Sequence, residues 1–104
     1  MNIIDNTRII YEDNEIMVSM VDDLPTSNGE MILTTKNDID SLFDLDMKLL
    51  EHIHETLKRM KDLIYNRLNP DGIKIVNNYG KCNMDNIFCI KIIPYYEPQQ
   101  PLVD

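Results

Sequence analysis

The sequence predicts an α+β domain: a five-stranded antiparallel sheet with one short and one long helix on one of its faces. Three observations carry this. Short apolar runs near residues 8–12, 15–21, 30–35, 73–77 and 86–96 have the composition and alternation of strands. One longer stretch, residues 46–68, repeats its apolar residues at three- and four-residue steps instead. The order is strands, then helices, then strands, without the strict βαβα alternation of a parallel sheet. A chain of 104 residues with 43% apolar composition is one domain, residues 1–104, and can bury a real core.

The first two strands, RIIYE and EIMVSMV, are joined at Asp13-Asn14, a pair suited to a tight turn. Asp22-Asp-Leu-Pro25 and Thr26-Ser-Asn-Gly29 follow as loop; proline presets one backbone angle and glycine permits the positive one. EMILTT is the third strand. Asn37 or Asp38 then caps a short helix, Asp38–Phe43, with Ile39, Leu42 and Phe43 on one face. In the long helix Leu49, Leu50, Ile53, Leu57, Met60, Ile64 and Leu68 form the apolar stripe, with Asp46 near its start. Asn69-Pro-Asp-Gly72 ends it, since proline cannot continue the hydrogen-bond ladder. IKIVN is the fourth strand and NIFCIKIIPYY the fifth; the tail, 97–104, is spaced by prolines and expected to be extended.

Eighteen acids against ten bases give a net charge of −8. Nucleic acid is thereby an unfavourable partner, because phosphate backbones demand clustered Lys and Arg. No apolar run approaches the ~18 residues of a membrane span. The N-terminus lacks the basic start and long apolar centre of a signal peptide. Cys82 and Cys89 form neither a CxxC pair nor a disulfide framework, so a reducing cytoplasm is the expected location.

The chemistry-bearing candidates are few. His52 and His54 are two apart on a helix, point roughly 200° away from each other, and are poorly placed to share a metal. Neither a metal nor a cofactor is expected. Asp22 and Asp23 are paired carboxylates or an ordinary turn. Asn78-x-Gly80 places an amide beside backbone N–H groups suited to phosphate. In the last strand Cys89 and Lys91 share a face with Ile87 and Ile93, opposite Phe88, Ile90 and Ile92. Lys91 is a phosphate ligand, a nucleophile, or a cation whose stem packs while its head reaches water. Cys89 is a nucleophile or a small hydrophobe.

Taken together and in this order, these pieces resemble the histidine-triad (HIT) family of nucleotide-binding hydrolases and transferases, over residues 8–96. RIIYEDNE is similar to the family's opening strand and turn, and Asp22-x-x-Pro25-x-x-x-Gly29 keeps the spacing of its next loop. Ile39-Asp-Ser-Leu-Phe-Asp-Leu-Asp46 is similar to its short helix and helix entry. Asn78-x-Gly80, a loop and an apolar strand match the approach to its signature. The family's last strand carries three alternating histidines, the middle one attacking the α-phosphate of a nucleotide. Counted from Asn78-x-Gly80, these places fall on Cys89, Lys91 and Ile93; counted back from Pro94, on Ile87, Cys89 and Lys91. Both counts keep one strand face and neither retains an imidazole. Other histidines common in the family fall on Glu30 and Asp38.

The resemblance implies a nucleotidyl-enzyme mechanism for which imidazole is suited. Lysine replaces it only when burial or a cationic neighbour deprotonates it. The expectation is therefore a catalytically degenerate HIT-like protein, without turnover, that binds a purine nucleotide or another phosphate-bearing small molecule. Asp22 would hold ribose hydroxyls. Asn78, Gly80 and Lys91 would face phosphate, and Met20, Val21 and Leu24 would line the base. Two alternatives stand beside it: an acidic protein-interaction or inhibitor module on a dimeric scaffold, and an enzyme rebuilt around Lys91 or Cys89. The resemblance also implies a homodimer.

Overall fold

The computed structural model describes residues 8–22, 25–37, 39, 41–84 and 87–98. Five strands form one antiparallel sheet: β1 (Ile9–Glu12), β2 (Ile16–Met20), β3 (Met31–Thr35), β4 (Gly72–Val76) and β5 (Cys89–Tyr95). Their order across the sheet is β1-β2-β3-β5-β4. One long helix, α1 (Met47–Arg67), covers one face. The five expected strands and the long helix are all present, with ends shifted by at most three residues.

Local chemistry explains the joints. Between β1 and β2 the carboxylate of Asp13 accepts from the amides of Glu15 (2.8 Å) and Ile16 (2.9 Å), and Asp13 N–H donates to the Ile16 carbonyl at 3.0 Å. An Asp at this place thus builds the turn with its own side chain. Asp46 caps α1 by accepting from Leu49 N–H at 2.8 Å. At the other end Asn69 adopts φ 46° and its N–H reaches back to the carbonyls of Ile64 and Tyr65. Asparagine tolerates this left-handed cap, and Pro70 prevents continuation.

The short helix differs from expectation. In place of a helix over Asp38–Phe43 there is a single 3-10 turn, Leu42–Asp44. Ser41 is the reason: its hydroxyl accepts from Phe43 N–H at 3.1 Å and donates to Asp44 at 3.0 Å, so it starts a new turn inside the segment. Leu42 and Phe43 are exposed in consequence, Phe43 by 77%, and only Ile39 packs toward the core. Residues 38 and 40 lie outside the described residues.

The core sits between α1 and the sheet. From the helix come Leu49, Ile53, Met60 and Ile64; from the strands come Ile16, Val18, Met31, Leu33, Ile90 and Ile92, with Phe88 just ahead of β5. Of the expected helix stripe, Leu50 is exposed and Leu57 and Leu68 are half-buried. Thr56 takes a buried position instead, its hydroxyl satisfied by the His52 carbonyl at 2.9 Å.

Candidate functional site

Strand alternation fixes the other face of the sheet. Because Ile90 and Ile92 point to α1, Cys89, Lys91 and Ile93 point away from it. Register then lines up their neighbours. Ser19 pairs with Ile32, Ile32 with Lys91, and Lys91 with Val76, so these four side chains form one row. A second row runs Met17, Thr34, Cys89. Val21 N–H donates to the Glu30 carbonyl at 3.0 Å, which extends the face past the end of β2.

This face is unusually polar for its burial. Cys89 is 5% exposed, Ser19 is 0% exposed, and Thr34 and Glu30 are also buried, while Lys91 is half-buried. Glu30 accepts from Thr26 N–H at 2.5 Å and so closes the loop before β3. Gly29, with φ 89°, makes the reversal just ahead of it, and Leu68 packs against its bare Cα. Among the described residues the buried Ser19 hydroxyl has no hydrogen-bond partner.

The expected ligand residues divide between locations. Lys91 and Cys89 are together, with Val21 on the same face by alternation. Asp22 follows Val21 at the Ile93 end, where its carboxylate meets Arg8 at 3.2 Å. Asn78 lies two residues past Val76 at the Cys89 end. Its neighbour Asn77, rather than Asn78, fastens this end by donating to the Cys89 carbonyl at 2.8 Å. Gly80 takes φ 82° and opens a 3-10 turn, Gly80–Cys82. Met20 is on the wrong side: it packs against the core beside Ile10 and Met31, so the sheet stands between it and Lys91. Period two sends Ser19 and Met20 to opposite faces, and Met20 leaves the ligand set. Leu24 and Asp23 lie outside the described residues, as does Asp85. Ser19, Thr34 and Asn77 are not apparent in the sequence because only the register of β2, β3, β4 and β5 brings them beside Cys89 and Lys91.

Both histidines are on α1, across the sheet from Lys91. His54 is exposed. His52 Nε2 lies 2.6 Å from Asp13 Oδ2, and a carboxylate can only accept, so Nε2 is the donor. The Tyr11 hydroxyl donates to the same oxygen at 2.5 Å. Burial works to raise the Asp13 pKa, but the donors outweigh it: Tyr11, the amides of Glu15 and Ile16, and His52 hold it well below the usual carboxylate range. The Tyr11 phenol is pushed up, first by its bond to Asp13 and then by burial. The imidazole of His52 therefore ties helix to hairpin. Among the described residues no cluster of three His, Cys, Asp or Glu is placed to hold a metal, and no helix is long and apolar enough to cross a membrane.

Comparison with known proteins agrees with this architecture. No curated protein sequence matches. Among solved structures, a HIT family protein from Bacillus anthracis superposes with a TM-score of 0.77 at 23% identity, covering 86% of this chain and 64% of that one. A histidine triad nucleotide-binding protein from Sulfolobus tokodaii gives 0.75 at 24% identity, covering 89% and 63%. The diadenosine triphosphate hydrolase of Plasmodium falciparum, in complex with cyclomarin A, gives 0.78 at 24% identity, covering 88% and 63%. These likenesses establish the fold, and the chain spans a little under two thirds of each of these relatives. The HIT domain pattern itself matches residues 4–88, most of the chain and up to the residue before Cys89. With its five-stranded sheet, its long helix and that match, the chain belongs to the HIT domain family.

Proposed function

We propose that this chain is a HIT domain that binds a nucleotide or related phosphate ligand on the sheet face carrying Cys89 and Lys91, and does not turn it over. The observation that carries this is the position of the imidazoles: the sequence has two, and both are on α1, on the far side of the sheet. On the proposed binding face a lysine stands in the row, between Ile32 and Val76. Its ammonium suits phosphate as a point charge. Asn78 and Gly80 contribute at the Cys89 end, and Asp22 and Val21 at the Ile93 end. Solved relatives described as nucleotide-binding and as a diadenosine triphosphate hydrolase support a nucleotide as the ligand class. The rebuilt-enzyme reading is weaker, because a thiol 5% exposed is a poor nucleophile for a bulky phosphoanhydride. The ligand-bearing unit is residues 8–96. Two thiols, Cys82 exposed and Cys89 buried, suit a reducing compartment such as the cytoplasm.

The test is thermal unfolding with AMP and ATP at millimolar concentration, with nucleotide products followed by chromatography. Ligand at ten times its Kd stabilises by about 1.4 kcal/mol, several degrees in Tm for a domain of this size. Lys91→Gln is expected to remove most of that shift, measured against its own unliganded Tm. A flat response in the parent protein sinks the binding claim, and steady product formation that Lys91→Gln or Cys89→Ala stops sinks the claim of no turnover.

The dimer has its own support. β4 is an edge strand, and Ile75 on it is 53% exposed beside half-buried Leu57 and Ile73. An apolar edge of this kind invites pairing with a second copy, while the acidic surface is free for a protein partner. Light scattering is expected to give twice the monomer mass for the parent and a monomer for Ile75→Lys.

A further inference from the structure

Between the end of α1 and the sheet the described residues leave an apolar recess unfilled. Its walls are Ile10, Met20 and Met31 from three neighbouring strands and Leu63, Ile64 and Leu68 from the end of α1. Its volume is about 350 Å³, at the small end of the range for ligand pockets. The sheet separates it from Lys91, so it is distinct from the phosphate face and independent of the reading given above.

One cation lines it, Arg67. The guanidinium of Arg67 makes no ion pair or hydrogen bond among the described residues, a condition it shares with other exposed cations such as Lys48 and Lys81, and it is the cation that borders the recess. Position in the last turn of α1 explains why a cation is tolerated there, since it faces the negative end of the helix dipole. It does not explain the apolar hollow beside it. A hollow with apolar walls and one unneutralised guanidinium at its side is complementary to a molecule with an apolar body and one anionic end. A carboxylate matches a single guanidinium in charge, and the guanidinium binds it through two parallel hydrogen bonds. A phosphate dianion would bring twice the charge to an already acidic protein.

We propose that this recess is a second binding site, taking a medium-chain alkyl carboxylate of roughly eight to ten carbons, the size a pocket at the small end of the range can enclose. The tail lies on Ile10, Met20, Met31 and Leu63, and the carboxylate lies on Arg67. The two methionines suit such a tail, because an unbranched thioether adapts to a flexible partner.

The experiment titrates the full chain with sodium decanoate and, separately, decanol. It follows Tm and the ¹³C-methyl signals of the methionines. Decanoate is expected to raise Tm and to shift the Met20 and Met31 methyls, leaving exposed Met47 and Met84 unmoved. Arg67→Gln is expected to weaken decanoate at least tenfold and to leave decanol binding unchanged. Lys91→Gln is expected to leave both unchanged. Equal affinity for decanoate and decanol in the parent, or an Arg67→Gln protein that binds decanoate as the parent does, would overturn the assignment. So would unmoved Met20 and Met31 methyls at millimolar decanoate, the result if another part of the chain or a second copy fills the recess, and so would a fall in Tm.

Discussion

Leu33→Ala is expected to lower the unfolding free energy by about 2–5 kcal/mol, the range for a leucine removed from a packed core. Leu33 is fully buried on β3, the central strand, and pairs with Val18 on one side and Ile90 on the other. All three belong to the cluster that meets Ile53 and Ile64 of α1. Truncation opens a hollow under the middle of the sheet, where neighbours held by hydrogen bonds on both sides cannot close in. Small domains are stable by only ~5–15 kcal/mol, so this one side chain represents a large share. Urea unfolding should show a lower midpoint with an unchanged slope. Met47→Ala, on a residue 75% exposed at the start of α1, should change stability by less than about 0.5 kcal/mol. Similar losses for the two variants would mean that the core lies elsewhere.

Asp13→Asn is expected to cost about 1–2 kcal/mol at neutral pH, by weakening charge-assisted bonds from Tyr11, His52 and two backbone amides. The loss should depend on pH, and its sign follows from the depressed pKa. The folded protein holds the carboxylate in its charged form below the ordinary value of 3.8. The contribution is thus complete above about pH 5 and is lost as the pH falls below ~4 toward the folded-state value. At the alkaline end Tyr11 acts in the opposite sense: its raised pKa favours the neutral phenol, so its share persists up to about pH 10 and is lost above. Stability curves of parent and Asp13→Asn should converge in acid. A constant gap down to pH 2 would show that the bonds, and not the charge, account for the whole effect.

The turn at Asp13, the cap at Asp46 and the stop at Asn69-Pro70 were all legible in the sequence, because each uses a side chain to satisfy or block its own backbone nearby. The short helix departs from expectation for the same kind of reason: Ser41 is a cap, and its hydroxyl starts a 3-10 turn four residues later than Asn37 and three later than Asp38 would. The candidate site was half legible. Alternation alone places Cys89 and Lys91 on one side of β5, and the resemblance identifies that side with the one carrying the family's histidines.

Sequence by itself determined the strands, the helix, the family and the absence of histidine from β5, because these follow from residue type and from periods of two and 3.6 along a single segment. Only the tertiary structure decided that Ser19 joins Lys91 in one row while Met20 is turned away, and that His52 closes on Asp13, 39 residues earlier in the chain. Those facts depend on register and strand order, which are set by pairing between distant segments, and a shift of one residue would exchange the two faces of β2.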